Sequence, residues 1–404
     1  MKRFSLALFV CAFALIFPAV TRAAAIVEFP IPSGGAQPLT MVYGPDGALW
    51  FAEYWVGRIG RVDTNGFFTE YPIPTSPSNP FGLVNGPDGN LWFTESYTNK
   101  IGRITTNGIF KEFSIPTPKC QPRGITVGPD GYLWFLEYAG NKIGRVDTNG
   151  TNWAEYTNGL SAIAGLNNLV TGPDGNLWFT ESIVGNLGRI TTNGVITEFP
   201  LPYTNSGPFG IITGPDGALW FSEFFSNKLG RITTDATPGL TNFFREFQLP
   251  TNIDVVLVTN QPYGLTVGMD GNIWFADYGG SSIGRMTTNG AVTKFFTPTT
   301  NSFPTFLTPT PDGAIWFGEY VGSFAGFPQA IARLILPVLG IAPSTNVSQV
   351  LLTWTTNAPT AQLQTNSDLT TTNWGTVTNV PVIVGGKLTV TNNVSGTLFF
   401  RLKE

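Results

Sequence analysis

Residues 86–95 read Gly-Pro-Asp-Gly-Asn-Leu-Trp-Phe-Thr-Glu, and residues 99–108 read Asn-Lys-Ile-Gly-Arg-Ile-Thr-Thr-Asn-Gly. The Asp-Gly and Asn-Gly pairs are turn sequences, because these residues accept the positive φ that a tight hairpin demands. Between them run short segments that alternate apolar and polar residues, as half-buried strands do. The stretch therefore predicts turn, strand, loop, strand, turn.

Outward from it the same pattern recurs. Trp-Phe begins at Trp50, Trp92, Trp134, Trp178, Trp220, Trp274 and Trp316, and an Asp-Gly pair starts four residues before each Trp, from Asp46 to Asp312. Each unit holds four strands, A to D, and four antiparallel strands in about 42 residues make one propeller blade. One blade alone cannot bury its faces, so neighbours must stack. The outer-strand signature, an acid then Phe or Tyr, occurs at Glu70, Glu112, Glu155, Glu198 and Glu246, with Lys294 replacing the acid in the sixth unit. An extra copy, Ile26-Val27-Glu28-Phe29, precedes the first Trp, and the seventh unit ends near Leu336 without a copy of its own. The expected fold class is all-β: a seven-bladed β-propeller over residues 24–337, closed by that N-terminal outer strand, which leaves no long open edge.

The ends differ in kind. Lys2 and Arg3 precede an apolar run from Phe4 to Val20, broken by Pro18, and Thr21-Arg22-Ala23 offers small residues at cleavage spacing. Residues 1–23 read as a signal peptide, the run being too short and interrupted for a span of about 20 apolar residues. Its removal leaves 19 basic against 26 acidic residues, a formal −7. A secreted or periplasmic monomer without a membrane span is expected, and nucleic acid or an anionic membrane is a poor partner for that charge. Residues 338–404, rich in Thr and Asn, carry strand-like runs at 350–355, 361–364, 382–384, 387–390 and 398–402 and suit a small β-sandwich. They are similar to Ig-like or fibronectin-like modules of secreted bacterial proteins.

Histidine is absent altogether, which excludes His-ligated metals and His-based triads. Two cysteines, one of them in the leader, make no disulfide framework. Cys120 lies between Lys119 and Arg123, cations that would favour a thiolate, but no base accompanies it, so an incidental thiol is expected. Carboxylates at the third position after each Trp (Glu53, Glu95, Glu137, Glu181, Glu223, Asp277, Glu319) could be read as a metal ring. An Arg eight residues later in six units predicts instead a cross-strand ion pair with each, and no metal.

The turns A to B and C to D are uniform, whereas the B to C and D to A loops vary. Aromatic residues recur on the variable face at Tyr54, Trp55, Tyr97, Tyr138, Phe224, Phe225, Tyr278 and Tyr320, and insertions fall at 254–259 and 323–329. Function on a rigid scaffold usually sits on such loops. The innermost strands open with Pro-x-Gly or a variant, and by register x should approach the channel: Leu39, Phe81, Arg123, Asn167, Phe209, Tyr263 and Thr305. With Tyr320, all of these but Leu39 are the candidate ligand-binding residues. An unknown small molecule, saccharide or peptide is the expected partner at the channel mouth. A channel merely packed or water-filled is the alternative.

The repeat quoted at the outset resembles those of virginiamycin B lyase, also called streptogramin lyase, over seven units from about Ile26 to Leu336, and is also similar to NHL-repeat propellers. The resemblance implies β-elimination that opens the ester ring of streptogramin B antibiotics, with Mg²⁺, a His base and carboxylates at the channel mouth. The family's two His positions match Tyr263 and Thr305 here. Its acid before the seventh Pro matches Phe303, and its acid four places after the seventh Trp matches Tyr320. A phenol with a pKa near 10 is a poor base. The expectation is therefore a binding or interaction protein with no catalytic residue and no cofactor. The alternative is a divergent Mg²⁺-dependent carbon–oxygen lyase.

Overall fold

The computed structural model describes residues 25–240, 243–250, 261–320, 329–336, 340–343, 349–355, 362–366, 375–384, 387–393 and 399–403. The expected signal peptide and both loop insertions, save Gln329, lie outside them. The chain divides into two compact units, Ile26–Ile335 and one that includes Leu336–Glu404.

The larger unit is a ring of seven four-stranded antiparallel sheets. The second blade is typical, with strands Pro80–Asn85, Leu91–Glu95, Lys100–Ile104 and Phe110–Ser114 in order from channel to rim. Strand B is buried along its whole length in every blade, which is why it carries the Leu-Trp-Phe run. All seven of its tryptophans are fully buried.

A buried indole N–H needs an acceptor. In six blades the turn aspartate four residues back supplies it at 2.9–3.1 Å, from Asp46 to Trp50 through Asp270 to Trp274. Outside blade four the turn aspartate also holds the strand C arginine, as in Arg61–Asp46 at 2.7 Å and Arg231–Asp216 at 2.6 Å. In every blade but the fifth the arginine also lies over its blade's indole, while the outer-strand aromatic stacks on it, as Tyr71 does on Trp50 at 5.4 Å. The residue two before the turn aspartate is glycine in six blades because a Cβ there would strike the indole, as one at Gly44 would come within 2.5 Å of the Trp50 ring. The seventh blade has Thr310 there; its hydroxyl bonds Asp312, and the Trp316 N–H is left without a partner among the described residues.

The expected Glu–Arg ion pairs do not form. Strands B and C are joined by a four-residue turn, so partners across it are five apart: Glu53 faces Arg58, and Arg61 faces Trp50. The strand B carboxyls are instead fully buried, each beside the outer-strand carboxylate. The outer-strand acid takes the cation, as in Lys142–Glu155 at 2.7 Å, and binds the loop entering its blade, as Ser161 Oγ donates to Glu198 at 2.7 Å. Blade six resolves the crowding differently: Asp277 pairs at 2.8 Å with Lys294, the residue that replaces the outer acid.

Ring closure follows the expected route. Strand Ala25–Pro30 joins the sheet of blade seven as its outer strand, and Phe29 stacks on Trp316 at 5.5 Å. Glu28 accepts from the Thr299 hydroxyl at 2.6 Å, as Glu70, Glu155 and Glu198 grip the loops entering their own blades. The C-terminal unit carries a four-stranded and a three-stranded sheet, and Leu352, Leu363 and Val390 from both form its core.

Cys120 belongs to the core of blades two and three and is wholly buried. Burial, then the charges of Glu137 and Glu155, push its thiol up, against the downward shift that Lys119 and Arg123 suggested. It should therefore resist iodoacetamide at pH 8 in the native protein and react fully in urea; rapid native labelling would contradict this packing.

The buried carboxyls make stability depend on pH in a definite direction. Burial raises Glu53, Glu95, Glu137, Glu181 and Glu319 to about 8 and Glu223 to about 7, against an ordinary value of 4.5. The folded state thus holds more protons than the unfolded chain between these values, so the stability they contribute is complete below 4.5 and is lost as pH rises through 8. Burial works against the charge of Asp46, Asp88 and Asp216, but hydrogen bonds and the adjacent arginine hold them below the ordinary 3.8, so their contribution fades only in stronger acid. The melting temperature is expected to fall from pH 6 to pH 9, and Glu181→Gln, which keeps the shape without the charge, should lessen the fall. A flat profile between those pH values would refute the assignment.

Candidate functional site

Each inner strand has a register irregularity just after its first residue, a proline in every blade but the fourth, which has Leu166: between Pro80 and Leu83 in blade two and at the equivalent place in all seven. Such a bulge re-aims the side chain within it. In blades two, four and five the bulge is held by a strand B hydroxyl: in blade two Gly82 N–H donates to Thr94 Oγ1 at 2.9 Å, and that hydroxyl donates to the Arg123 carbonyl of the next blade at 2.6 Å. Thr180 and Ser222 tie the carbonyls of Phe209 and Tyr263 in the same way at 2.8 and 2.7 Å.

The bulges bring most of the x residues together. Leu39, Phe81, Phe209 and Tyr263 join Tyr54 and Phe306 in one apolar cluster across the channel. Phe209 and Tyr263 are centred 4.2 Å apart, and Tyr263 lies 5.3 Å from Phe306 and 5.7 Å from Tyr278. Burial pushes the Tyr263 phenol up, away from any role as a base near neutrality, although the Arg123 charge acts in the other direction. Phe224, Phe225 and Tyr278 extend the rings outward, and Phe225 is 72% exposed, so the cluster opens to solvent.

Thr305 stands apart. Strand B of blade seven has Gly318 where the others carry a hydroxyl or larger residue, and Thr305 supplies the missing tie, donating to the Pro38 carbonyl at 2.8 Å. Buried to 1% exposure with its hydroxyl engaged in the seam, it corrects the expectation of a channel-facing group. The residue after it, Phe306, occupies the space instead; the departure from Pro-x-Gly in the seventh unit was the sequence signal for it. Tyr320 is part-buried at the start of the loop after strand B, its N–H bonded to the Phe303 carbonyl at 3.2 Å.

Blades three and four supply the polar part. The Arg123 guanidinium lies 3.4 Å from the centre of the Tyr138 ring and 5.5 Å from that of Phe81. One of its N–H groups donates to Asn167 Oδ1. Asn167 is itself oriented, its Nδ2 donating to the Gly165 carbonyl at 3.2 Å and to Ser182 Oγ at 2.6 Å, so its oxygen faces the cation. Among the described residues no carboxylate forms an ion pair with Arg123, and burial draws its pKa below the ordinary value.

Two cavities meet at this guanidinium. One of about 200 Å³ is walled by Phe209, Phe224, Phe225 and Tyr263 with Asn167 and Ser182. The other, about 100 Å³, is formed with Tyr54, Phe81, Ser96, Tyr97 and Gln121. Neither wall contains a carboxylate. Further along the inner strands a third cavity of about 250 Å³ has Phe306 in its wall together with Thr40, Ile125 and Asn168, so the aromatic cluster separates it from the mouth. Among the described residues no three His, Cys, Asp or Glu side chains are placed to hold a metal ion, and no helix is long and apolar enough to cross a membrane.

Comparison with known proteins agrees with this architecture. Among curated proteins none matches the chain. Among solved structures, virginiamycin B lyase from Staphylococcus aureus is 34% identical, with 78% of this chain and all of that one covered and a TM-score of 0.70. A streptogramin B lyase structure is 33% identical over 77% of this chain and 97% of its own, with a TM-score of 0.69. The extracellular domain of a one-component system from B. thetaiotaomicron covers 94% of this chain and 57% of its own, with a TM-score of 0.60; at 14% identity the likeness concerns fold alone. The sequence pattern of the virginiamycin B lyase family matches residues 17–158, 152–255 and 244–326. By its blades, its sequence and its structural relatives, the chain belongs to the virginiamycin B lyase family.

Proposed function

We propose that this member of the family is an exported ligand-binding or interaction protein that grips a small ring-bearing molecule at the mouth of its channel. The observation that carries the reading is the mouth itself: aromatic walls around an oriented guanidinium, with no acid–base pair among the described residues. Ring faces and edges recognise a saccharide, a peptide side chain or another ring by stacking and apolar contact. The C–O lyase chemistry of the relatives finds little support here. The chain has no histidine, Tyr263 and Thr305 stand at the family's His positions, and Phe303 and Tyr320 stand at its acids. Mg²⁺ takes oxygen ligands in a near-octahedral set, usually through carboxylates and retained water. A phenol raised by burial, a threonine hydroxyl engaged in a seam and a phenylalanine do not fit it. Glu319, the nearest acid along the chain, is wholly buried beside Glu28.

The second reading, a divergent lyase acting on a streptogramin-like cyclic ester, is kept because a catalytically inactive virginiamycin B lyase with quinupristin is 34% identical to this chain. Two measurements separate the readings. Addition of Mg²⁺ or EDTA should leave the melting temperature unchanged, since a bound metal would raise it by mass action. Incubation with quinupristin and Mg²⁺ should yield no linearised product. Product formation abolished by Tyr263→Phe would overturn the proposal. A glycan and metabolite array should return a ring-bearing ligand whose binding Phe209→Ala weakens.

A further inference from the structure

Resting on the reading of the mouth as a ligand site, we propose that its ligand is an aromatic carboxylate, held as an ion pair by Arg123 with its ring in the adjoining aromatic cavity. Three independent features of the structure converge on this chemistry.

The first is an uncompensated cation. A guanidinium has five N–H donors in a fixed fork that matches a carboxylate. Asn167 engages Arg123 through one of them, and the rings of Tyr138 and Phe81 are centred 3.4 and 5.5 Å from its guanidinium carbon. No described carboxylate neutralises it. Elsewhere in the ring, Arg61, Arg103, Arg145, Arg231 and Arg333 each pair with a turn aspartate, so a lone inward cation is a departure from the scaffold's own habit.

The second is pre-orientation. Asn167, 1% exposed, is pinned by Gly165 and Ser182 with its carbonyl toward Arg123, and the Tyr138 ring is centred 3.4 Å from the guanidinium carbon. Nothing in the core requires this arrangement, because the equivalent x positions of blades one, two, five and six carry apolar or aromatic side chains. Holding a long flexible cation in one pose lowers the ordering cost of binding.

The third is shape. The cavity beside Arg123 measures about 200 Å³. An apolar cavity of about 150 Å³ accommodates benzene. The space therefore holds one six-membered ring against Phe209, Phe224 and Tyr263 and leaves room for a short arm that reaches the guanidinium. A neutral sugar would fill the cavity but leave the cation unanswered. An inorganic anion would answer the cation but leave the rings bare.

The test titrates the whole mature chain by calorimetry with phenylacetate, its neutral isostere phenylacetamide, and sulfate. Phenylacetate is expected to bind about tenfold or more tightly than either of the others, the margin typical of a desolvated charge-assisted pair. Arg123→Gln should erase the preference for acid over amide. Phe225→Ala, at an exposed ring, should weaken acid and amide alike. Should Arg123→Gln fail to fold, Asn167→Asp serves instead: it sets an internal carboxylate against Arg123 and should likewise abolish the preference. Equal affinity for phenylacetate and phenylacetamide would overturn the anion assignment and leave the ring-binding reading standing. Sulfate matching phenylacetate would overturn the aromatic half. Absence of binding by all three, together with an empty array, would defeat both this inference and the reading beneath it.

Discussion

A tryptophan buried in the middle of a sheet must give its one N–H to something, and in this protein that need organises the blade. The turn aspartate accepts it, and the same carboxylate takes the strand C arginine. The arginine lies over the indole while an outer-strand aromatic covers it. Turn, two inner hairpin strands and rim are thereby fixed by one side chain. The glycine two before the turn aspartate is required by the same geometry, since a Cβ there would strike the indole. Blade seven shows what happens when the rule is relaxed: Thr310 diverts the aspartate, and the indole loses its acceptor.

Repetition builds the frame, and departure from repetition builds the mouth. The bulge at the start of every inner strand is the same, but the residue within it changes from blade to blade. In blades three and four the change is from apolar to polar, giving Arg123 and Asn167; in five and six it gives Phe209 and Tyr263. The two pairs face one cavity. Buried carboxyls beneath the loops form a further layer that is uniform in six blades and replaced as a pair, Asp277 with Lys294, in the sixth.

Blade number, strand order and ring closure were legible in the amino-acid sequence because they rest on period and on turn chemistry, both local. Register was not fully legible. The spacing from Glu53 to Arg61 suggested a pair, yet the turn Tyr54–Gly57 makes partners five apart and places Arg61 opposite Trp50. For Cys120 the neighbours in sequence, Lys119 and Arg123, misled: those in space are Glu137 and Glu155. Thr305 was placed at the correct backbone position, but its direction depends on a hydroxyl missing from Gly318 on the next strand. The mouth could be outlined from the Pro-x-Gly positions, whereas the orientation of Asn167 by Ser182 is a tertiary property that no single-strand pattern encodes.

The bond from Thr299 to Glu28 spans 271 residues of chain. Contacts of such sequence separation form late and slowly. Six wedges can therefore assemble in order of synthesis while the last stays one strand short, waiting for a segment made near the outset. The propeller is a clasp whose hook is made before the blades and whose eye is made with the seventh, so interruption of synthesis before blade seven leaves an unlatched arc with two bare sheet faces rather than a smaller working wheel.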